Sequence, residues 1–364
     1  MLARKNILQI KPYVPGKPIA EIKRKLGLKQ VIKLASNENA LGPSPKAVRA
    51  IRASLDQINR YPDGDSFYLR QKLARKLKLA PENLIFGCGS DELIVLAIRA
   101  FVNAGEQAII ARPTFLIYNL AARIAGAKVK FVPLKGLRYD LVAMKKAITR
   151  KTKIIFIANP DNPTGSYVTK KEVAEFLRGL PKNVIVFFDE AYFELVSKKD
   201  FPDTLKYLNK RNVIITRTFS KAYGLSGLRI GYGIASRRMI DFMNRVREPF
   251  NVNSLAQAAA LAALDDSAHL ARTRKLLGEG FGYICRNLKQ MNLPYTESVT
   301  NFVLIRVGPQ AAAIYQRLLT NGVIVRKMQA WGMKDFIRVT IGTMPENRRF
   351  IKELKTIIQG GKTG

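Results

Sequence analysis

Lys221 sits in TRTFSKAYGLSGLRIGYG, residues 216–233, among hydroxyl, aromatic and small side chains rather than other charges. Such surroundings lower a lysine's pKa toward neutrality and make its amine a nucleophile for a carbonyl carbon. Arg229, eight residues on, has the planar fork that clamps a phosphate. Asp189 ends the apolar run of VIVFFDEAY, where a carboxylate is costly to bury without a positive partner, and Tyr192 follows three residues later. NPDNPTG, residues 159–165, follows the strand-like KIIFIA. Its two prolines and glycine fix a loop that presents the Asn162 amide at a strand's C-terminal end. FGCGSDELIVLAIRAF sets Gly87, Gly89, Ser90 and Asp91 between a strand and a helix, where backbone N–H groups can hold an anion. Glu92 stands where a dinucleotide fingerprint needs its third glycine, so the pattern suggests phosphate binding without NAD.

Each signal alone also fits an ordinary turn, a solvated strand end or one more surface lysine. Together they supply a phosphate cradle, a fixed amide, a buried carboxylate and a nucleophilic lysine. Pyridoxal phosphate requires this set. Its aldehyde takes a lysine as a Schiff base, its ring nitrogen needs an anion to stay protonated, and its phosphate needs amides, hydroxyls and an arginine.

The elements that must position these residues are legible from about residue 84. Short Val/Ile/Phe runs (LIF, QAIIA, KVKFVPL, KIIFIA, NVIVFFDEAY, VIITRTF) alternate with longer amphipathic segments. The pattern predicts strands buried on both faces and covering helices, hence a three-layer α/β domain with a mainly parallel sheet. After about residue 255 two helical stretches precede the short strands NFVLIRV, GVIVRK and FIRVTIG, a smaller α+β domain. KPYVPGKPIAEIKRKLG, near the start, has Pro and Gly flanking one short helix and reads as an arm. The expected division is an N-terminal arm 1–42, a large domain 43–255 and a small C-terminal domain 256–364.

Composition narrows the chemistry. One histidine, His269, rules against a Ser-His-Asp triad or a His-rich metal site, and no metal is expected. His269 itself lies in a polar helical pattern and reads as an exposed helix residue. Cys88 and Cys285 lie far apart without metal-type spacing, which fits a reducing compartment. No run approaches the roughly 20 apolar residues of a membrane span, and the first residues lack a signal peptide's apolar stretch, so a cytoplasmic protein is expected. The 62 Lys and Arg against 27 Asp and Glu give a net charge of +35. The basic residues are spread over nearly every amphipathic helix, which favours a dispersed basic surface over a specific nucleic-acid site.

The segments NPDNPTG, DEAY, TFSKAYGLSGLRIGYG and FIRVTIGT, in that order over nearly the whole chain, resemble the marks of the class I/II, fold-type-I aminotransferases. Within that group PYVPGKP, IKLASNENALGPSP, RYPDGD and IRVTIGT are most similar to the histidinol-phosphate aminotransferase family. The resemblance implies pyridoxal 5'-phosphate as cofactor and amino-group exchange between histidinol phosphate and glutamate/2-oxoglutarate. It implies that Lys221 forms the Schiff base and shuttles the proton, and that Asp189 pairs with the ring nitrogen. Asn162 and Tyr192 would hydrogen-bond the ring oxygen, Phe115 would stack on the ring, and Ser90, Asp91, Thr218, Ser220 and Arg229 would hold the phosphate. Tyr61 would reach the cofactor phosphate of the other subunit in a homodimer. Arg338 would bind substrate carboxylate or phosphate, with Arg326, Tyr13 and Asn37 nearby. Phe115, Ala40 and Trp331 depart from the residues usual in the family. Related chemistry on aromatic amino acids, decarboxylation of a phosphorylated amino acid, or a basic nucleic-acid-binding role on the same fold are the alternative readings.

Overall fold

The computed structural model describes residues 2–8, 10, 12 and 18–360. Helix α1 (Ile19–Leu26) leads to a short strand β1 (Ile32–Lys33), then to helices α2 (Pro45–Ala53) and α3 (Phe67–Leu77). Strand β2 (Leu84–Gly87) and helix α4 (Ser90–Phe101) open the large sheet. Then come β3 (Gln107–Arg112), α5 (Leu116–Ile124), β4 (Lys128–Pro133), α6 (Leu141–Lys146), β5 (Thr152–Ala158), α7 (Lys170–Leu177) and β6 (Ile185–Asp189). Strands β7 (Val213–Thr218) and β8 (Gly231–Ala235) complete it, before α8 (Arg237–Asn244), α9 (Ser254–Ala263) and the long α10 (Ser267–Gln290). The C-terminal part holds β9 (Phe302–Arg306), α11 (Ala311–Thr320), β10 (Val323–Ile324), β11 (Arg326–Lys327), β12 (Phe336–Thr340) and α12 (Met344–Gln359).

The seven-stranded sheet runs β2-β8-β7-β6-β5-β3-β4. Only β8 is antiparallel, to both of its neighbours, so the expected mainly parallel α/β sheet is present. Every residue of β6 and β7 is buried, as strands covered by helices on both faces must be. Parallel strands point their C-terminal ends the same way, so β5, β6 and β7 deliver Asn162, Asp189 and Thr218 to one edge of the sheet. A second sheet, β11-β12-β9, is antiparallel. Its core includes Val303, Ile305, Ile337 and Val339, which alternate with residues on the opposite face. Residues 32–34 join this second part: β1 pairs in parallel with β10, and Leu34 lies in the same core.

One buried ion pair braces the sheet beneath its functional edge. Asp189 and Glu190 point to opposite faces, and so do Thr216, Arg217 and Thr218 in turn. On the hidden face Arg217 donates from Nε to Glu190 Oε2 at 2.9 Å, with Nη2 also 2.9 Å from that oxygen. Thr204 Oγ1 donates to the other Glu190 oxygen, and the guanidinium lies 3.4 Å from the centre of the Phe193 ring. Burial opposes the Arg217 charge, but Glu190 beside it, together with Tyr232 and Glu194, outweighs burial and holds the guanidinium above its ordinary pKa.

His269 departs from the exposed position expected of it: it is 2 % exposed. Its backbone N–H donates to the N-cap residue Asp266, and its ring meets the Asn39 amide, which also donates to Ala222 O and Thr273 Oγ1. Burial lowers its pKa, so it is a neutral packing residue between the loop at 39 and α10.

Removing one partner of a buried ion pair strands the other charge, whereas replacing both leaves none. Arg217→Ala is therefore expected to cost about 3–5 kcal/mol of stability in urea unfolding. The double variant Arg217→Met, Glu190→Leu is expected to lose clearly less. Equal losses would show that the pair does not brace the sheet.

Candidate active site

A cavity of about 500 Å³ opens where the C-terminal edge of the large sheet faces β11 and β12. Thirteen of the candidate site residues line it: Asn37, Ser90, Asp91, Phe115, Asn162, Asp189, Tyr192, Thr218, Ser220, Lys221, Arg229, Arg326 and Arg338. Tyr61 lies outside it, 83 % exposed and stacked on Phe250 at 4.8 Å. Tyr13 lies outside the described residues.

Lys221 follows β7 directly after a turn in which Ser220 N–H donates to Thr218 Oγ1. Its Nζ donates to Ser36 O at 3.4 Å, and no carboxylate pairs with it among the described ion pairs. Burial, reinforced by the Arg338 charge, lowers its pKa to about 8. About a tenth of the amine is therefore in its nucleophilic neutral form at pH 7.

Asp189 ends β6. Tyr118 on α5 donates its hydroxyl to Asp189 Oδ2 at 2.7 Å, and Ala191 N–H donates to Oδ1 at 3.2 Å. Burial raises the carboxyl pKa to about 6, although the Tyr118 bond pulls it down. A buried carboxylate held only by neutral donors is a site prepared for a cation. The sequence gives no sign of Tyr118, because its partner lies 71 residues away across strands whose order appears only in the fold.

The loop after β5 is bolted by its own side chains. Asn159 accepts from Val168 N–H and donates to Val168 O, while Asp161 accepts from Thr114 and Thr164. Asn162 Oδ1 accepts from Arg338 Nη1. A guanidinium only donates, so this contact fixes the amide orientation and leaves its NH₂ group for another acceptor. Tyr192 accepts from Asn37 Nδ2 at 2.9 Å. Burial pushes its pKa up to about 12, against the pull of Arg338, so its hydroxyl keeps a proton to donate.

At the other end of the cavity α4 begins at Ser90, after Gly89 with φ +80°. A Cβ on Gly89 would overlap Asp91 Oδ1 and Arg229 Nη2, and one on Gly231 would press against the Ser90 N–H at 2.6 Å. The glycines thus keep open a cradle of backbone N–H groups, hydroxyls and one guanidinium. The Asp91 side chain accepts from Arg229 Nη2 at 2.8 Å, so its carboxylate orients the arginine, and an anion would meet the helix N–H groups instead.

These residues fit pyridoxal phosphate. The cradle matches a phosphate, the carboxylate a ring-nitrogen cation, the Asn162 and Tyr192 donors a ring oxygen, and the half-buried Phe115 ring a flat aromatic face. Lys221 would supply the amine for the aldehyde. Among the described residues no group of three or more His, Cys, Asp or Glu could hold a metal ion.

The lowered pKa sets a pH dependence. The neutral Lys221 fraction grows about tenfold per pH unit below pH 8 and saturates above it. The rate at which pyridoxal phosphate bonds to the cofactor-free chain, followed by stopped-flow absorbance, is expected to track that curve. A rate still rising steeply at pH 10 would mean that burial does not depress the amine.

The comparisons with known proteins point to one family. The family model for aminotransferase class I and II matches residues 29–354. The chain is 46 % identical to a histidinol-phosphate aminotransferase of Moorella thermoacetica, over 98 % of this chain and 92 % of that protein. It is 47 % identical to one of Methylobacillus flagellatus, over 98 % and 97 %. The crystal structure of histidinol-phosphate aminotransferase from Sinorhizobium meliloti in complex with pyridoxal-5'-phosphate superposes with a TM-score of 0.91 at 30 % identity, covering 99 % of this chain and 98 % of that one. Sequence and fold therefore have one source: the chain belongs to the class I and II aminotransferase family.

Proposed function

We propose that the chain is a pyridoxal 5'-phosphate-dependent aminotransferase that exchanges an amino group between histidinol phosphate and the glutamate/2-oxoglutarate pair, in histidine biosynthesis. One observation carries the reading. A single cavity has an anion cradle at Arg229, a second basic end at Arg326 and Arg338, and Lys221 and Asp189 between them. One basic end suits the cofactor's phosphate and the other a substrate anion. The names of full-length relatives at 46 % and 47 % identity support the choice of substrate.

When bound, the cofactor supplies an aldehyde for the amino group and a protonated ring that draws electrons from the substrate carbon. Lys221 would hold it through its amine, and the same amine would be the base and acid that moves the proton at the substrate carbon. Asp189, ionised at neutral pH, would keep the ring nitrogen protonated. Asn162 and Tyr192 would donate to the ring oxygen, and Phe115 would offer its face to the ring. Ser90, Thr218, Ser220, Arg229 and the N–H groups around Asp91 would hold the phosphate. Arg338 and Arg326 would take the substrate's carboxylate or phosphate, with Asn37 on the same cavity wall.

The same reading makes the protein a homodimer whose Tyr61 reaches its partner's site. Tyr61 and Phe250 form an exposed aromatic pair outside their own cavity, which supports that assignment. It also gives an arm, a large and a small domain over 1–42, 43–255 and 256–364. No helix among the described residues is long and apolar enough to cross a membrane. Both cysteines are free, which favours a reducing cytoplasmic setting.

Lys221→Ala is expected to abolish the visible band of bound cofactor and all turnover. Survival of both would end the assignment. Asp189→Asn is expected to retain cofactor but slow transamination by at least about a hundredfold, because a neutral amide no longer holds the ring proton. Near-normal turnover would remove that role. In single-turnover conversion of the loaded enzyme, histidinol phosphate is expected to outpace phenylalanine and tyrosine. A preference for phenylalanine would replace the substrate assignment.

A further inference from the structure

Arg326 and Arg338 are directly opposite each other on the antiparallel strands β11 and β12. Opposed residues share one face of a sheet. Ile337 and Val339, on either side of Arg338, are fully buried in the core behind, so both arginines face the cavity they line. Two like charges in this arrangement repel, and partial burial strengthens the repulsion. One side chain meets both. The Trp331 ring lies 5.2 Å from the guanidinium carbon of Arg326 and 5.8 Å from that of Arg338. Trp331 is 7 % exposed and packs with Leu304, Met328 and Met333, and Leu304 is itself the β9 neighbour of Arg338. The indole Nε1 is buried without a hydrogen-bond acceptor among the described residues. What the ring offers its surroundings is therefore its electron-rich face, which attracts cations, rather than its N–H.

We propose that Trp331 is a positioning residue that holds Arg326 and Arg338 side by side as one site for a dianion, and so sets the enzyme's preference for a phosphorylated substrate. The inference rests on the reading of these arginines as the substrate's anion site. The aromatic face offsets part of the repulsion between the two cations. A phosphate, with charge near −2 and three acceptor oxygens, uses both guanidiniums. A carboxylate is satisfied by one planar fork. Loss of the face therefore weakens phosphate binding more than carboxylate binding.

Trp331→Leu removes the face and keeps apolar bulk, whereas Trp331→Phe keeps a face. With the cofactor-loaded enzyme, Trp331→Leu is expected to raise KM for histidinol phosphate about tenfold and to leave KM for glutamate within about twofold, with kcat little changed. Trp331→Phe is expected to restore most of the loss. Unchanged KM for histidinol phosphate, or equal losses toward both substrates, would overturn the proposal. A second readout needs no turnover. Trp331 is the chain's one tryptophan, so its emission reports on the arginine pair directly. In the loaded chain, where cofactor fills the Arg229 cradle, inorganic phosphate is expected to change that emission saturably and more tightly than succinate. An emission indifferent to phosphate, or one that responds better to succinate, would overturn it. A normal phosphate response in an enzyme that does not turn over histidinol phosphate would uphold the Trp331 inference while removing the substrate assignment.

Discussion

The buried carboxylate of Asp189 is the constraint on which the rest of the site depends. It closes a strand with every residue buried, and it holds only hydroxyl and amide donors: Tyr118, Ala191 and, at 3.5 Å, Thr216. Burial raises its pKa to about 6, so it is charged at neutral pH at a cost that no ion pair among the described residues offsets. Lys221 presents the converse problem, an amine held down to about 8 in the same cavity. Paired directly, the two would cancel and lose their chemistry. Kept apart, each remains open to a molecule that would bring a cation for one and an aldehyde for the other. Affinity for the cofactor and reactivity toward it thus come from the same unmet electrostatics.

Holding those groups apart demands a rigid frame, and the fold supplies it on the face away from the cavity. The Arg217–Glu190 pair links β7 to the end of β6, one residue from Asp189 and one from each of Thr216 and Thr218. Two of the cavity's residues also carry backbone strain. Asn37 at φ 54° and Arg229 at φ 58° hold left-handed conformations that non-glycine residues adopt at a cost. Asn37 is fixed there by Thr340, which accepts from its backbone N–H, and by Asn301, which donates to its carbonyl. Arg229 is fixed by Asp91 and by Ser226 O. In both cases the side chain that must reach the cavity is on the strained residue, and the surrounding bonds hold the conformation.

What was legible in the sequence follows the range of the interactions. Lys221, Asp189, Asn162 and the glycine turn before Ser90 each announce themselves within a few residues, because strand, turn and special residue are contiguous. The mainly parallel sheet was legible for the same reason, from apolar runs of strand length alternating with helical periods. Tyr118 and the Arg217–Glu190 pair were not legible. Each depends on which strands and helices become neighbours, and Arg217 is one of 62 basic residues until Glu190 is placed beside it. His269 was misread because a polar helical pattern says nothing about a loop arriving from residue 39 to cover it. The substrate-side arginines came from resemblance to a family. Their pairing across β11 and β12, and the indole between them, came only from the register.

That register also ties the two ends of the cavity together. Arg338 belongs to the small sheet, yet it donates to Asn162 on the large sheet's loop and, at 3.1 Å, to Ala35 O on the segment that joins the two parts. The amide assigned to the cofactor ring and the guanidinium assigned to the substrate anion are therefore direct partners. An anion drawn to Arg338 competes for the same donors that orient Asn162. A change in the position of Arg338 therefore bears directly on the hydrogen bond that aims the amide. Arg338 is thus one direct link between the substrate anion site and the amide assigned to the ring, beside a second that runs from Thr340 on β12 through Asn37 to Tyr192.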